Sequence, residues 1–187
     1  MGDQRLENEF YRKFSSTKII SGFTSLFIFE KDKALQSLIH SFKYNKRFLN
    51  AKFLGVLIGK ELGEEIINWN IDLIIPVPLH HLKKAERGYN QSEFIVNGLS
   101  RKLGIPFTTK AIKRIRYTES QTTFNQVERE KNISNAFKVR SKKKIIGKNI
   151  LIIDDVITTG STIKECGKAL IEGGAKSVYA CSVAIAD

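Results

Sequence analysis

The sequence predicts an α/β fold with a doubly wound, mainly parallel sheet. Short segments made almost entirely of apolar residues, such as 150–153, alternate with helical segments through the last two thirds of the chain. Strands that are apolar along their whole length are covered on both faces, as in parallel sheets flanked by helices. The chain has 187 residues, 42% of them hydrophobic, which is enough for one such core. We therefore expect one domain over residues 24–187, preceded by an N-terminal extension over residues 1–23.

The first elements follow from the spacing of apolar residues. Residues 24–31 (TSLFIFEK) are strand-like, and residues 32–46 have apolar side chains at helical spacing after Asp32, a candidate N-cap. Residues 49–67 predict a second helix. Three glycines recur there at every fourth position, so they share one face and allow close packing at a cost in helix propensity: Gly55, Gly59 and Gly63.

The next two elements are bounded by proline, serine and glycine. Residues 71–78 (IDLIIPVP) predict a buried strand that its prolines terminate, because proline cannot donate to a central ladder. Residues 92–104 predict a helix with Ser92 as its N-cap and Gly104 as its stop.

The last third repeats the strand and helix alternation after one long polar segment. Residues 114–137, approximately, lack either periodicity and are too long for an ordinary connection, which is typical of a mobile working loop. Residues 148–156 predict an apolar strand and residues 177–186 a closing strand. Between them, residues 161–174 predict a helix with three inward apolar residues: Ile163, Leu170 and Ile171.

Composition limits the classes of function. Lys and Arg number 31 against 19 Asp and Glu, so the formal net charge of +12 predicts attraction to polyanions or phosphorylated ligands. Cys166 and Cys181 lack the spacing and the neighbouring histidines of a zinc site, and both are expected to fill the core. No segment approaches the roughly 18 apolar residues that span a bilayer, and no signal peptide is evident. We expect a cytoplasmic protein without membrane insertion.

Residues 150–162 (ILIIDDVITTGST) are the strongest functional motif. Asp154 and Asp155 follow the apolar strand, at the carboxyl edge where open α/β sheets bind ligands. The hydroxyl-rich turn that follows leads into a helix N-terminus, which favours an anion, and Gly160 lets the backbone approach the anion or take a positive φ angle. The turn lacks the lysine of the GxxxxGK[ST] motif, which favours a terminal monophosphate. Carboxylates repel phosphate but accept bonds from sugar hydroxyls and hold Mg²⁺, so we expect a sugar phosphate.

This motif resembles the phosphoribosyl pyrophosphate (PRPP) binding motif of type I phosphoribosyltransferases. Three further segments are similar, in the same order, to the competence protein F (ComF) family: residues 41–62 (SFKYNKRFLNAKFLGVLIGKEL), 74–95 (IIPVPLHHLKKAERGYNQSEFI) and 114–137 (RIRYTESQTTFNQVEREKNISNAF). The resemblance covers the chain from about residue 35 to its end. Many members begin with a four-cysteine zinc module, so a chain without N-terminal cysteines is expected to lack that module or to find it on a partner.

The resemblance implies the fold of a type I phosphoribosyltransferase, with a flexible loop over the active site. It implies that Asp154 and Asp155 are catalytic and hold the ribose hydroxyls, together with the Mg²⁺ that they share with pyrophosphate. The residues expected to bind the 5-phosphate group are those of the turn: Val156, Thr158, Thr159, Gly160, Ser161 and Thr162.

The remaining site residues are also implied by the resemblance. Arg87 and Gly88 are expected to bind pyrophosphate, with Asn90 and Gln91 in support. In the long loop, Arg116 is a candidate substrate contact, and the catalytic candidate Arg129 is expected to stabilise the leaving pyrophosphate while the loop excludes water. Open alternatives are a solvated basic turn at residues 83–88 and a loop without function.

Two functions stay open at this point. The first is an enzyme that transfers the phosphoribosyl group of Mg²⁺–PRPP to an unidentified acceptor, in DNA uptake or nucleotide salvage. The second is a non-catalytic, PRPP-responsive module that binds single-stranded DNA or a DNA-uptake helicase in natural transformation. Type I phosphoribosyltransferases are often dimers, so a homodimer is one candidate assembly by analogy.

Two other conspicuous groups are expected to be structural. His80 and His81 lack spaced carboxylate or cysteine partners, which favours an exposed pair rather than a metal site. Residues 140–148 (RSKKKIIGK) favour a solvated turn, with nucleic-acid contact as the alternative.

Overall fold

The computed structural model describes residues 4–15, 17–29, 48–117 and 133–186, and the structural statements that follow concern these ranges. The strands are β1 (Gly22–Phe29), β2 (Leu73–Pro76), β3 (Ile112–Arg114), β4 (Phe137–Val139), β5 (Asn149–Ile157) and β6 (Ser177–Ala186). The α-helices are α1 (Gln4–Phe14), α2 (Phe48–Glu61), α3 (Gly63–Asn68), α4 (His81–Arg87), α5 (Gln91–Leu103) and α6 (Ser161–Glu172). A 3₁₀ turn spans Lys142–Lys144.

The main sheet has four parallel strands in the order β1-β6-β5-β2. Phe107 adds a single parallel bridge to Ile74 of β2, so the chain continues the sheet at this edge. Strands β3 and β4 form a separate antiparallel pair. The predicted α/β fold with a mainly parallel sheet is confirmed.

The central strand β5 separates two cores. Ile150 and Ile152 belong to a core that also contains Phe14 of α1 and Leu170 of α6. The alternate residues, Leu151 and Ile153, belong to a second core that contains side chains of α2 and α5, among them Leu54, Ile58, Ile95 and Leu99. Alternation along one strand thus places helices on both faces, as the doubly wound prediction requires.

Close helix packing on the second face depends on glycine, as the sequence predicts. A Cβ atom at Gly55 would lie 1.9 Å from the backbone oxygen of Ile95, and one at Gly98 would lie 2.0 Å from that of Lys52. The backbones of α2 and α5 therefore touch. The prediction of one helix over residues 49–67 is wrong in one respect, because α2 ends at Glu61 and Gly63 begins the separate helix α3.

Helix ends agree in part with the sequence predictions. Gly104 ends α5 in the left-handed conformation, with φ of 73°. The N-cap of α5 is Asn90, whose side-chain oxygen accepts from the Ser92 amide, so the prediction of Ser92 as the cap is wrong. Ser92 lies inside the first turn, where its hydroxyl is available for another contact. In α6, Ile163 and Leu170 are buried, but Ile171 is 39% exposed and does not face inward.

Several predicted segments lie partly outside the described ranges. The helix predicted over residues 32–46 is outside them, and so is the middle of the predicted loop, residues 118–132. The two ends of that loop are joined by the β3–β4 pair, in which Arg114 lies opposite Phe137. Cys166 and Cys181 are fully buried, which confirms their predicted place in the core. Within the ranges described, no helix is long and apolar enough to cross a membrane.

We predict that Gly98→Ala destabilises the protein by about 3 kcal/mol, at the upper end of the range for overpacked sites. The added methyl group would meet the backbone of α2, which cannot rotate away. Urea unfolding followed by circular dichroism measures this loss. Gly63→Ala is the matched control, since its Cβ would meet only the end of the Leu103 side chain, at 3.0 Å. Equal stability of the two variants would contradict the backbone contact.

Candidate phosphate and ribose site

Asp154 and Asp155 lie at a level of the sheet that strand β2 does not reach. Strand β2 ends at Pro76, which is level with Ile153 of β5, while β5 continues to Ile157 beside β6. Asp154 and Asp155 therefore lie beyond the end of one neighbouring strand, at the carboxyl edge of the sheet. This arrangement leaves room for a ligand next to them.

Asp154 is held by donors on both sides. Its Oδ1 atom accepts a hydrogen bond from the Ser92 hydroxyl of α5 at 3.1 Å, and another from the Asp155 amide at 2.9 Å. Burial, followed by repulsion from the Asp155 carboxylate, raises the pKa of Asp154 to about 8, and the two donors only partly oppose this effect. The carboxyl group is thus poised to lose a proton when a cation or a hydrogen-bond donor arrives.

The turn after β5 has the geometry of an anion-binding turn. Gly160 is the N-cap of α6 and adopts φ of 75°, a left-handed conformation that glycine takes without strain. The hydroxyls of Thr159 and Ser161 are 2.9 Å apart and hydrogen-bonded. A cavity of about 30 Å³ opens here, lined by residues of the motif: Asp154, Val156, Ile157, Thr158, Thr159, Gly160, Ser161, Thr162 and Ile163. The structure thus brings the predicted phosphate residues and one acid into one small cleft.

Helix α1 packs directly beneath this turn. A Cβ atom at Gly160 would lie 2.8 Å from Cε1 of Phe14 and 3.4 Å from Cβ of Lys13. Phe14 is fully buried and contacts Phe23 of β1, with ring centroids 5.6 Å apart. Gly160 is therefore required by its conformation and also by the ring below it. The sequence predicts a close approach to an anion or a positive φ at this glycine, and the positive φ is confirmed, but the ring below it was not predicted.

Arg114 is a site residue that the sequence analysis did not single out. It ends β3, and its guanidinium stacks over Phe137 with 5.6 Å from Cζ to the ring centroid. Burial lowers the pKa of Arg114, and the nearby Asp154 opposes that shift. The neighbouring candidate Arg116 is exposed, and its Nη1 donates to the Ser134 carbonyl at 3.4 Å. Successive side chains of a strand point to opposite faces, so the sequence could have indicated that Arg114 points inward if Lys113 points outward.

The other predicted contacts are distributed differently. Arg87 is the last residue of α4, and Gly88 is its C-cap with φ of 79°, so both lie outside the residues that line the small cleft. The predicted basic turn is therefore a short helix. The supporting residues Asn90 and Gln91 are buried, and Nε2 of Gln91 has no hydrogen-bond partner among the described residues. Arg129 lies outside the described ranges.

The prediction of an exposed histidine pair is wrong for one of its members. His80 is only 5% exposed, whereas His81 is exposed. His80 is the N-cap of α4, because its Nδ1 accepts from the Leu82 amide at 3.4 Å. The sequence does not distinguish the two histidines, since only the fold of the following residues decides which ring is covered.

The residues present fit a magnesium ion that is shared with a ligand. Among the described residues, no group of three or more His, Cys, Asp or Glu side chains could hold a metal alone. Mg²⁺ is commonly held by one or two carboxylates, with ligand phosphates and water completing its coordination. The oxygen donors of Asp154 and Asp155 match this chemistry, and a cation beside them would offset the repulsion that raises the Asp154 pKa.

We predict that metal-free protein loses stability, relative to Asp154→Asn, as pH rises from about 4 to 8. The raised pKa keeps Asp154 protonated in the folded chain, whereas the same side chain ionises near pH 4 in the unfolded chain. Between these pH values the folded state binds one more proton than the unfolded state, so its stability falls as the pH rises. The relative loss should reach at least about 1.4 kcal/mol, the value of one pKa unit. Urea unfolding in a chelator across this range measures it. A constant difference between the two proteins would contradict the shift.

Comparison with known proteins places these features in a family. A family model described as a phosphoribosyl transferase domain matches residues 89–186. Competence protein F of Haemophilus influenzae is 34% identical over 154 residues, which cover 80% of this chain and 67% of that protein. DNA utilization protein YhgH of Escherichia coli K12 is 34% identical over 147 residues, 77% of this chain and 64% of that protein. The chain thus spans about two thirds of the length of these relatives.

One solved structure is similar to this chain at low sequence identity. Glutamine PRPP amidotransferase from Bacillus subtilis is 22% identical, with a TM-score of 0.49 over 71% of this chain and 26% of that one. The evidence for the family is the identity to the bacterial relatives, together with the family model that spans Asp154, Asp155 and the turn after them. The chain belongs to the competence protein F family, whose members carry a domain of the phosphoribosyltransferase type.

Proposed function

We propose that this protein binds Mg²⁺–PRPP and transfers its phosphoribosyl group to an acceptor, with release of pyrophosphate. One observation carries the proposal. An acid of the Asp154–Asp155 pair and the turn that caps α6 line the same small cleft at the carboxyl edge of β5. A ligand that suits both halves has a terminal phosphate and, a few ångströms away, hydroxyls or a bound cation.

The turn would bind the 5-phosphate group. The first backbone N–H groups of a helix have no partner within the helix, and its dipole favours negative charge at that end. The hydroxyls of Thr159 and Ser161 add donors, and they already bond to each other, so their positions are fixed before a ligand arrives. No lysine is needed for a monophosphate at this position.

The acid pair would hold the ribose. Carboxylate oxygens accept hydrogen bonds from the 2- and 3-hydroxyls, and Ser92 and the Asp155 amide orient the Asp154 carboxylate for this contact. A bound Mg²⁺ would supply electrostatic stabilisation of the charge that develops on the departing pyrophosphate. Asp154 and Asp155 would hold that ion.

Three groups are proposed to receive the pyrophosphate. Gln91 is buried next to Ser92, and its Nε2 has no partner in the described chain, so a ligand oxygen would satisfy a donor that is otherwise costly to bury. Arg87 lies on α4, which an ion pair of 2.7 Å between Lys84 and Glu93 fastens to α5. Arg129 stays a proposed contact from the long loop.

Bond cleavage at the anomeric carbon creates positive charge, and the carboxylates of Asp154 and Asp155 would stabilise that charge.

We predict that the double change Asp154→Asn and Asp155→Asn weakens Mg²⁺–PRPP binding at least about tenfold, which corresponds to about 1.4 kcal/mol. The loss follows because amides hold Mg²⁺ poorly and no longer carry its counter-charge. Isothermal titration of PRPP with and without Mg²⁺ measures it, and a screen of acceptor bases for pyrophosphate release tests transfer. Unchanged affinity in the folded double variant would refute the proposal.

Two single changes serve as controls within the same titrations. Thr159→Val should weaken ribose 5-phosphate and PRPP alike, because both carry the terminal phosphate. Arg87→Ala should weaken PRPP alone. Thr159 is preferred over Gly160 for this purpose, since any side chain at Gly160 would also displace Phe14.

A second candidate function, contact with single-stranded DNA, is favoured by a basic surface. Residues 110–117 and 133–149 contain no Asp or Glu. Lys113 and Lys138 are exposed and lie directly opposite each other in the β3–β4 pair, an arrangement of like charges that costs stability. A polyanion would remove this repulsion. The names of the relatives, competence protein and DNA utilization protein, agree with a nucleic-acid ligand.

We predict that the double change Lys113→Ala and Lys138→Ala flattens the salt dependence of single-stranded DNA binding. Each phosphate contact contributes a log-log slope of about −0.7, so losing two contacts should reduce the slope by about 1.4. Fluorescence anisotropy with a labelled oligonucleotide at several salt concentrations measures this. Lys60→Ala with Lys102→Ala removes the same charge from the exposed surface of α2 and α5 and is the control. Equal slopes for both double variants would contradict a specific surface.

A further inference from the structure

His80 is a buried imidazole in a position that none of the proposed ligand contacts uses. It follows the loop after β2 and caps α4, with Nδ1 accepting from the Leu82 amide at 3.4 Å. The ring lies against that of His81, at 4.2 Å between centroids. These contacts tie His80 to the helix that ends in Arg87.

The same ring also reaches a different part of the chain. The Ile115 backbone lies near the ring, where it favours the protonated form and opposes the lowering of the His80 pKa by burial. The ring edge meets Tyr117 at 5.4 Å between centroids, and Nζ of Lys83 stands 5.7 Å from the centroid of the same tyrosine ring. His80 therefore bridges α4 and the segment that follows β3.

Both segments that His80 contacts, α4 and the residues after β3, adjoin residues of the proposed ligand site. On one side, α4 carries Arg87 and is fastened to α5 by Lys84 and Glu93. On the other side, Ile115 directly follows Arg114, which interacts with Asp154, and the Ile115 amide donates to the Ala136 carbonyl at 2.7 Å. The His80 side chain joins the two, through the Leu82 amide on one side and the Tyr117 ring on the other.

We propose that His80 is a positioning residue that fixes the pyrophosphate side of the site, α4, against the strand that presents Arg114 to Asp154. This inference rests on the proposed function for its effect on ligand binding, but the link itself belongs to the protein without ligand. The neutral imidazole suits the task, because it keeps an accepting nitrogen for the Leu82 amide.

The surroundings favour that neutral form. Burial is the largest cause of the lowered pKa of His80, and the positive charges of His81, Arg114 and Lys83 act in the same direction. Of the titratable groups in the described ranges, Tyr117 also faces the ring. A protonated ring would lose the acceptor for the Leu82 amide, so the low pKa preserves the link.

Hydrogen exchange of the ligand-free protein tests the link directly. His80→Ala should raise amide exchange at least about tenfold in residues 81–88 and also in residues 112–117, and leave α6 unchanged. His80→Asn should restore protection in residues 81–88 only, since asparagine is a good N-cap but has no ring to pack against Tyr117. Glu86→Ala, at an exposed position of α4, is the control. Should both His80 variants leave residues 112–117 unchanged, the histidine would be merely a helix cap and the inference would be overturned.

Ligand titration then tests the consequence. His80→Asn, which keeps α4 capped, should weaken Mg²⁺–PRPP at least about fivefold and spare ribose 5-phosphate, because only PRPP contacts α4. Equal weakening of both ligands would overturn the positioning role. If the unaltered protein binds neither ligand, the proposed function fails, and the exchange result alone decides whether His80 links the two segments. If His80→Ala does not fold, His80→Asn carries both measurements.

Discussion

A partly buried carboxyl group that folding places beside a second one is the constraint on which the site depends. Asp154 is held beside Asp155, at a point where β2 has ended and β5 continues. Burial and repulsion both disfavour its charge, and the Ser92 hydroxyl with one amide only partly compensates. The protein carries this cost because the rest of β5 is firmly anchored between two cores. A cation or a polyhydroxylated ligand would remove this cost. The repulsion that destabilises the site without a ligand is therefore also a source of the proposed ligand affinity.

The position of Ser92 depends on close packing some distance away. Helix α5 reaches Asp154 because it lies against α2 with backbones in contact at Gly55 and Gly98. Larger residues there would push α5 outward and draw the hydroxyl away from the carboxylate. The buried caps Asn90 and His80 act at the same level, since each fixes the start of a helix that carries a proposed ligand contact. The site is therefore assembled by helix placement on a rigid sheet.

The sequence was sufficient for whatever depends on local pattern. Apolar runs gave the parallel strands, the acid pair with its hydroxyl-rich turn predicted the cleft, and Gly104 marked a helix end, because each follows from residues adjacent in the chain. Contacts between distant segments were missed. The burial of His80, the inward side of Arg114 and the ring of Phe14 under Gly160 all depend on which elements meet. The prediction of Ser92 as the cap is wrong because Asn90, two positions earlier, accepts from the Ser92 amide and begins the helix before it.

The ring of Phe14 beneath Gly160 bears on where the functional unit of this protein begins. Similarity to the phosphoribosyl transferase domain starts at residue 89, and the sheet starts at Gly22, so either boundary could be taken as the start of an autonomous domain. Helix α1 lies before both. A chain that begins at Gly22 would keep every acid and hydroxyl of the motif. It would lose Phe14, the ring that packs against the turn at Gly160. Domain boundaries drawn from sequence similarity thus exclude a part of the proposed anion site that would never touch the anion.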